Sequence, residues 1–225
     1  MTGYYSSNAK FHVGVDCIVF GLNQGHLSIL LVKRAFEPEM GKWSLVGGFV
    51  RENESVDQAA GRVLEELTGL RDVYMEQVGA FGDLYRDSGE RVISVAYYAL
   101  INFDNHDRLR VAGHNASWID IDSIPPLVFD HMSMVDRARD IMKQRIMHEP
   151  VSFNLLPPMF TLTQLQSLYE VVIGEPIDKR NFRKRVAHMP FIEKTGQVDK
   201  LNSRRGATLY RFDRCAYDRA PKFKI

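Results

Sequence analysis

The sequence predicts the α+β fold class with two domains, and three observations support that prediction. Several short stretches of the first two thirds alternate apolar with other residues, as β-strands do, and one stretch has the 3.6-residue period of an amphipathic helix. Prolines then interrupt the pattern in EPVSFNLLPP at 149–158. Beyond this break the order is helix, helix and β-hairpin. We therefore expect one domain at 1–150 and a second at 151–225.

Composition is typical of a globular cytoplasmic protein. The 225 residues are 45% apolar and 25% charged, which suits a sizeable core. No apolar stretch of about 18 residues appears, so we expect no transmembrane helix and no membrane partner. The N-terminus lacks the pattern of a signal peptide. Cys17 and Cys215 give neither a disulfide framework nor a paired metal-binding motif, which fits a reducing compartment.

Charge is divided unevenly between the two predicted domains. Residues 151–225 contain 14 lysines and arginines against 7 acidic residues, a net charge of +7. Residues 1–150 contain 15 against 21, a net charge of −6. A basic domain on an acidic body indicates a polyanionic partner, with nucleic acid the leading candidate. Surface charge that varies without a function is the alternative.

Strands dominate the first domain. Alternating apolar residues predict the first strand at 11–21, and the apolar run LSILLVKR predicts the second. GKWSLVGGFV predicts an extended segment broken by a glycine pair. Further strands are predicted at Tyr74–Phe81, Arg91–Ile101 and Ala116–Ile119, and a helix at His131–His148.

An earlier helix has clear signals at both ends. Ser55 is a good N-cap, Gln58 completes a capping box, and Gly69 has the position of a glycine that ends a helix. The apolar face predicted between them consists of Val56, Ala59, Ala60, Val63, Leu64 and Leu67.

This helix lies in a motif that resembles the Nudix box. That signature is Gly, five residues, Glu, seven residues, then Arg-Glu-apolar-any-Glu-Glu-any-Gly-apolar, and GFVRENESVDQAAGRVLEELTGL at 48–70 matches it at seven positions. The resemblance implies a Nudix-like mixed-sheet α/β/α sandwich. The matching residues are Gly48, Glu54, Arg62, Leu64, Glu66, Gly69 and Leu70.

The departures from the motif bear on its chemistry. Nudix hydrolases hold Mg²⁺ against a pyrophosphate with carboxylates three and four residues apart, and the three positions here are Val63, Glu66 and Leu67. One carboxylate is a poor Mg²⁺ site. We therefore expect no catalytic residue, no bound metal, no cofactor and no enzymatic activity. An i, i+4 ion pair is the simplest role for Arg62 and Glu66.

The second domain has the signals of a helix-turn-helix. Thr161 or Thr163 can cap a first helix, Gly174 and Pro176 end it, and Asp178 caps a second, KRNFRKRVA. FIEKTGQVDKLNSRRGATLYRF then predicts a hairpin, the wing of a winged helix-turn-helix domain. At its basic tip, the residues expected to contact phosphates or the minor groove are Lys200, Arg204 and Arg205.

The second of these helices is suited to the major groove of DNA. Phe182 and Val186 form its apolar face, and polar or basic residues cover the rest. Arg can read guanine, Asn can read adenine, and Lys neutralises phosphate. A solvated basic face is the alternative. The predicted DNA-binding residues are Lys179, Arg180, Asn181, Arg183, Lys184 and Arg185.

The two motifs together resemble the Nudix-related transcriptional regulator family, from about Phe11 to Phe212. The resemblance implies a homodimer that binds a palindromic double-stranded operator and is released by a small-molecule effector. The chain looks most like the L-arabinose-responsive repressor branch, which controls sugar utilisation. The branch that senses ADP-ribose to control NAD metabolism, and a Nudix hydrolase of nucleoside diphosphate compounds, are the alternatives.

Candidate effector-binding residues come from the segments that line the cleft of Nudix folds. Sugar sites combine aromatic platforms with charged hydrogen-bonding groups. Core packing is the alternative role for the two aromatic candidates. The candidates are Lys42, Trp43, Arg51, Glu66, Asp83 and Tyr85.

Overall fold

The computed structural model describes residues 3–23, 25–102, 115–200 and 206–219. They form two compact units. One comprises the described residues of 1–19, 29–99 and 108–138, and the other comprises those of 20–28, 100–107 and 139–225. A domain boundary at 150 stays a prediction.

The main sheet contains seven strands among the described residues. Its order is β3-β2-β1-β6-β5, with β4 paired to β1 and β7 paired to β2. The strands predicted from apolar patterning are confirmed, except that the segment predicted to break at its glycine pair breaks at Leu45, and β4 runs through both glycines. They are β1 (His12–Asn23), β2 (His26–Lys33), β3 (Trp43–Ser44), β4 (Val46–Phe49), β5 (Tyr74–Phe81), β6 (Val92–Asn102) and β7 (Ala116–Asp120).

Strand β1 is central and is buried on both of its faces. Every residue from Gly14 to Gly21 is buried, although the sequence shows apolar alternation there. Strand β4 pairs antiparallel with it, from Gly14 opposite Phe49 to Cys17 opposite Val46. This pairing places the first residues of the Nudix-like motif, Gly48 and Phe49, beside the central strand of the sheet.

The helices of this part of the chain are α1 (Gly3–Ser6), α2 (Val56–Thr68) and α3 (His131–Ile146). The predicted capping box of α2 is present: Ser55 accepts a hydrogen bond from the Gln58 N–H, and the Gln58 side chain accepts one from the Ser55 N–H. Gly69 ends the helix with a φ of 72°, a left-handed conformation that glycine adopts without strain.

The buried face of α2 differs from the predicted one at its last turn. Ala59, Ala60, Val63 and Leu64 are buried, as expected for the apolar face. Leu67 is 38% exposed. Of the two metal-ligand positions of the Nudix motif that are apolar in this chain, Val63 therefore belongs to the core and Leu67 does not.

The second part of the chain contains the three-stranded sheet β8-β10-β9, with both neighbouring pairs antiparallel. Its elements are β8 (Phe160–Thr161), α4 (Leu162–Ile173), α5 (Lys179–Val186), β9 (Ile192–Asp199), β10 (Ala207–Phe212) and α6 (Arg214–Arg219). Thr161 caps α4 with a capping box to Gln164, and Gly174 ends the helix. Thr161 is thus the cap among the two candidates.

Aromatic packing holds these small elements together. Tyr169 of α4 and Phe182 of α5 are both buried, with ring centroids 5.9 Å apart. Phe153, in a 3₁₀ helix at Pro150–Leu155, stacks on Phe212 of β10 at 4.3 Å. The segment expected to be only a break is thus itself ordered, and Leu155 within it is fully buried. No described helix is long and apolar enough to cross a membrane.

Candidate functional site

Two arginines and two glutamates form an ion-pair cluster at the Nudix-like motif. Arg62 donates to both carboxylate oxygens of Glu54, at 2.8 and 2.6 Å, and to Glu66 at 2.9 Å. It also donates to the Phe49 carbonyl oxygen at 3.0 Å. Arg51 donates to Glu66 at 3.2 Å. The charged residues that the motif retains, Glu54, Arg62 and Glu66, therefore pair with one another, and Arg62 links α2 to strand β4.

Protonation follows from this geometry. The hydrogen bonds from Arg62, helped by one from the Arg51 backbone N–H, lower the pKa of Glu54 to about 2 from an ordinary 4.5. The hydrogen bond to Glu54 in turn raises the pKa of Arg62. Both groups are charged at neutral pH, so the pair is a structural clamp on the loop before α2.

These residues do not fit a Mg²⁺ ion. Val63, where the motif needs a carboxylate, is 3% exposed, and a Cβ placed on Gly48 would lie 3.0 Å from its Cγ2. Glu66 has its carboxylate engaged by two guanidinium groups. Among the described residues no group of three His, Cys, Asp or Glu side chains could hold a metal ion.

The six predicted effector-binding residues occupy four separate segments of the chain. Arg51 and Glu66 are joined directly in the ion-pair cluster. Trp43 lies half-buried in β3 with the Lys33 ammonium 5.1 Å from its ring centroid, and Lys42 beside it is exposed and paired with Glu39.

The other two predicted residues lie on the loop between β5 and β6. Tyr85 is 92% exposed, and Asp83 is exposed, with its carbonyl oxygen accepting a hydrogen bond from Arg91 at 2.8 Å. Core packing is therefore not the role of Tyr85. None of the six lines the polar cleft described next, although Trp43 and Tyr85 are immediate sequence neighbours of residues that do.

A cleft with buried charges lies beside the ion-pair cluster, between β1, β4 and the start of α3. Asp16, Arg86 and His131 line it, and each residue is less than a tenth exposed. Arg86 donates two hydrogen bonds to Asp130, at 2.9 and 2.7 Å. Its guanidinium is also 3.6 Å from Asp16. One cation thus faces two carboxylates.

Asp16 retains acceptor capacity within this cleft. Ser94 donates to its Oδ2 at 2.6 Å, and His131 Nε2 lies 3.6 Å from its Oδ1. Gly47 has no side chain because a Cβ there would overlap Oδ1 of Asp16. Asp16 therefore lines the cleft with no side chain at Gly47 to cover its carboxylate. Such a carboxylate can accept hydrogen bonds from the hydroxyl groups of a ligand.

The tautomer of His131 follows from its backbone partner. The Leu45 N–H donates to Nδ1 at 3.1 Å, so Nδ1 carries no proton and Nε2 carries it toward Asp16. Burial lowers the pKa of His131, and nearby Asp16 only partly opposes this effect. A neutral imidazole therefore presents an N–H donor to the cleft at neutral pH.

Aromatic side chains flank the mouth of the cleft. Phe36 is 58% exposed, and the Arg34 guanidinium carbon lies 4.6 Å from its ring centroid and 5.0 Å from that of Phe129. Such stacked planar groups can bind a flat ring. Sequence reasoning missed this site, whose best signal was Asp16, a charged residue within the apolar run VDCIVF.

The second part of the chain presents a basic helix. In α5 the two predicted inward residues, Phe182 and Val186, are 1% and 3% exposed. The Asn181 N–H donates to the capping side chain of Asp178 at 2.8 Å. No ion pair to another described residue occupies the basic side chains of this helix. The six predicted DNA-binding residues on it are all exposed: Lys179, Arg180, Asn181, Arg183, Lys184 and Arg185.

The turn before α5 is fixed by two side chains of α4. Gln166 donates to the Ile177 carbonyl oxygen at 3.0 Å, and Glu170 accepts from the Ile177 N–H at 2.9 Å. This N–H and the Gln166 amide lower the pKa of Glu170. The angle at which α5 leaves the turn is therefore set by hydrogen bonds as well as by the core.

The wing is the antiparallel pair β9 and β10. Lys200 is exposed directly after β9. Arg204 and Arg205, predicted at the wing tip, lie outside the described residues.

Comparison with known proteins finds one family match in each part of the chain. Residues 10–138 match the NUDIX domain family, and residues 152–212 match the NrtR DNA-binding winged helix domain. The chain is 34% identical over 208 residues to the ADPR responsive transcriptional repressor NtrR of Acinetobacter baylyi, covering 91% of this chain and 83% of the relative.

Two solved structures extend the comparison. Shewanella oneidensis NrtR in complex with a 27mer DNA superposes with a TM-score of 0.83 at 30% identity, covering 94% of this chain and 97% of that one. The NUDIX domain of that protein in complex with ADP ribose superposes with a TM-score of 0.54 at 29% identity, covering 61% of this chain and 92% of that one. The predicted fold class is confirmed, and the chain belongs to the NrtR family, in which a Nudix domain precedes a winged helix DNA-binding domain.

Proposed function

We propose that this protein is a DNA-binding transcriptional repressor whose Nudix domain senses ADP-ribose. The observation that carries the proposal is similarity over 91% of the chain to a repressor described as ADPR responsive. The structure supplies both required parts, a polar cleft in the Nudix domain and an exposed basic helix on a helix-turn-helix.

The effector is the point at which the first expectation changes. The sequence looked most like the L-arabinose-responsive branch, but the relatives support ADP-ribose better. Asp16 and His131 could bind the vicinal hydroxyls of either sugar. The rings of Phe36 and Phe129 beside Arg34 add a platform for a flat base, and the Arg34 guanidinium adds a positive charge for a pyrophosphate. L-arabinose has neither a base nor a pyrophosphate.

The Nudix domain acts in this proposal as a sensor and not as an enzyme. Val63 and Leu67 replace two metal-binding carboxylates, and the remaining one, Glu66, is bound by Arg62 and Arg51. Hydrolysis of ADP-ribose with Mg²⁺ or Mn²⁺ at about 1 per second or faster would restore the hydrolase alternative.

The DNA site in this proposal is a two-fold symmetric operator bound by a homodimer. One winged domain has a small contact area, and a dimer doubles it on a palindrome. The base-reading residues would be Arg180, Asn181 and Arg183 on α5, with lysines of the same helix on phosphates. Cross-linking and light scattering would test the dimer.

Fluorescence anisotropy tests the whole proposal. Full-length protein is titrated into labelled duplex from the region upstream of its own gene, at about 150 mM salt, because weak non-specific binding is suppressed there. Tight binding that ADP-ribose reverses and L-arabinose does not would support the proposal. Reversal by L-arabinose alone would return the protein to the sugar-responsive branch, and weak binding indifferent to both would reject the repressor.

A further inference from the structure

A second feature of the winged domain lies beside the basic helix. A groove of about 690 Å³ runs between α5, the wing and the start of α4. Arg183 of α5 and Lys194 of β9 are both among its lining residues, and Thr163, Thr208 and Tyr210 add hydroxyl groups. The apolar floor includes Val186, which is 3% exposed.

The charge of this groove is uncompensated. None of the described residues that line it is acidic. The alternation of β9 explains why: Glu193 pairs with Arg211 at 2.9 Å, whereas Lys194, the next residue, points to the opposite face and is exposed. No described carboxylate forms an ion pair with Lys194. The ion pair of Glu193 and Arg211 therefore lies on the face of the wing away from the groove, and Lys194 lies on the face that lines it.

We infer that this groove seats the sugar-phosphate backbone of one DNA strand, with Lys194 contacting a phosphate. The inference rests on the proposed DNA-binding function and adds a contact outside the recognition helix. Arg183 belongs to both surfaces, so a strand in the groove is continuous with DNA read by α5. Protein–DNA interfaces contact phosphate oxygens through lysines and hydroxyl groups, and the described lining of this groove offers both and no carboxylate.

The size of the effect follows from counterion release. Each phosphate contact multiplies the binding constant by the molar salt concentration raised to the power of about −0.9. At about 0.15 M salt this factor is about fivefold. Loss of the contact therefore weakens binding about fivefold, equally for operator and non-operator DNA, because phosphates carry no sequence information.

The experiment compares full-length variants by anisotropy on operator and scrambled duplexes of equal length, between about 0.05 and 0.3 M salt. Lys194→Gln should weaken binding to both duplexes about fivefold and reduce the log–log salt slope by about 0.9. Lys194→Arg should retain the wild-type slope, because it keeps the charge. Thr208→Val should weaken binding without changing the slope, because it removes a neutral donor.

Arg211→Gln is the matched control, with the same charge change on the same hairpin but on the paired face. It should leave the affinity within about twofold and the salt slope unchanged. Equal melting temperatures for all variants would confirm intact folding. Wild-type affinity and slope in Lys194→Gln, with normal operator binding by the wild type, would overturn this inference alone. Wild-type protein that binds neither duplex would overturn the proposed function as well.

A nucleotide phosphate is the other source of the same chemistry. ADP-ribose affinity, measured by calorimetry on the same proteins, should be equal in the wild type and in Lys194→Gln. A loss of ADP-ribose affinity in that variant would assign the groove to a nucleotide and contradict the DNA-strand assignment.

Discussion

Restoring a carboxylate at the Nudix motif should destabilise this protein without restoring catalysis. Val63 is 3% exposed and packs against Gly48, so Val63→Glu places a carboxyl group in the core. Such burial raises a glutamate pKa by about 3 units. With an unfolded pKa of about 4.3, ionisation then costs the folded state about 4 kcal/mol at pH 8 and about 1 kcal/mol at pH 5.

The sign of the pH dependence makes this prediction specific. The folded-state pKa is the raised one, so stability is lost as pH rises above the unfolded value. For a chain of this size, 4 kcal/mol corresponds to a fall in melting temperature of about 8–16 °C at pH 8. Calorimetric melting between pH 5 and pH 8 should show the deficit of Val63→Glu growing with pH.

Two variants serve as controls for this measurement. Val63→Gln introduces a polar group without a charge, so its deficit should not vary with pH. Leu67→Glu changes the other substituted position, which is 38% exposed, and should alter stability by about 0.5 kcal/mol or less. A Val63→Glu protein as stable as wild type at pH 8, and further stabilised by Mg²⁺, would refute the reasoning.

Three further predictions concern other charged groups. Arg86→Met leaves Asp130 without its bidentate partner and should lower the free energy of unfolding by about 3–5 kcal/mol, measured by urea denaturation. Because the folded-state pKa of Glu54 is lowered to about 2, its carboxylate stabilises the fold above about pH 4.5, and this contribution is lost as pH falls toward 2. Glu54→Gln should therefore flatten the decline in melting temperature over that range. Glu170→Ala removes the acceptor for the Ile177 N–H and should cost about 1–2 kcal/mol and weaken operator binding, whereas exposed Glu175→Ala should change neither.

Local signals in the sequence predicted most of the fold. Ser55, Gln58 and Gly69 bound α2 because capping and left-handed termination are decided by neighbouring residues. Asp178 likewise caps the basic helix, and Phe182 and Val186 anchor it at a spacing of four. The motif register at Val63 also correctly indicated a core position.

The cleft was not predictable in the same way, because its partners are far apart in sequence. Arg86 and Asp130 are 44 positions apart, and His131 reaches back to the backbone of Leu45 across 86. Only the fold brings them beside Asp16. The exposure of Leu67 was missed because the last turn of α2 buries Thr68, a polar residue whose hydroxyl donates to the Leu64 carbonyl oxygen, in its place.

The most direct test of the account is displacement of operator DNA by effector. Anisotropy of full-length protein on its upstream duplex, at about 150 mM salt, is followed while ADP-ribose is added, with L-arabinose as the comparison. The account predicts loss of the complex with ADP-ribose and no change with L-arabinose. A complex that ADP-ribose leaves intact, with the nucleotide bound but slowly hydrolysed, would contradict it.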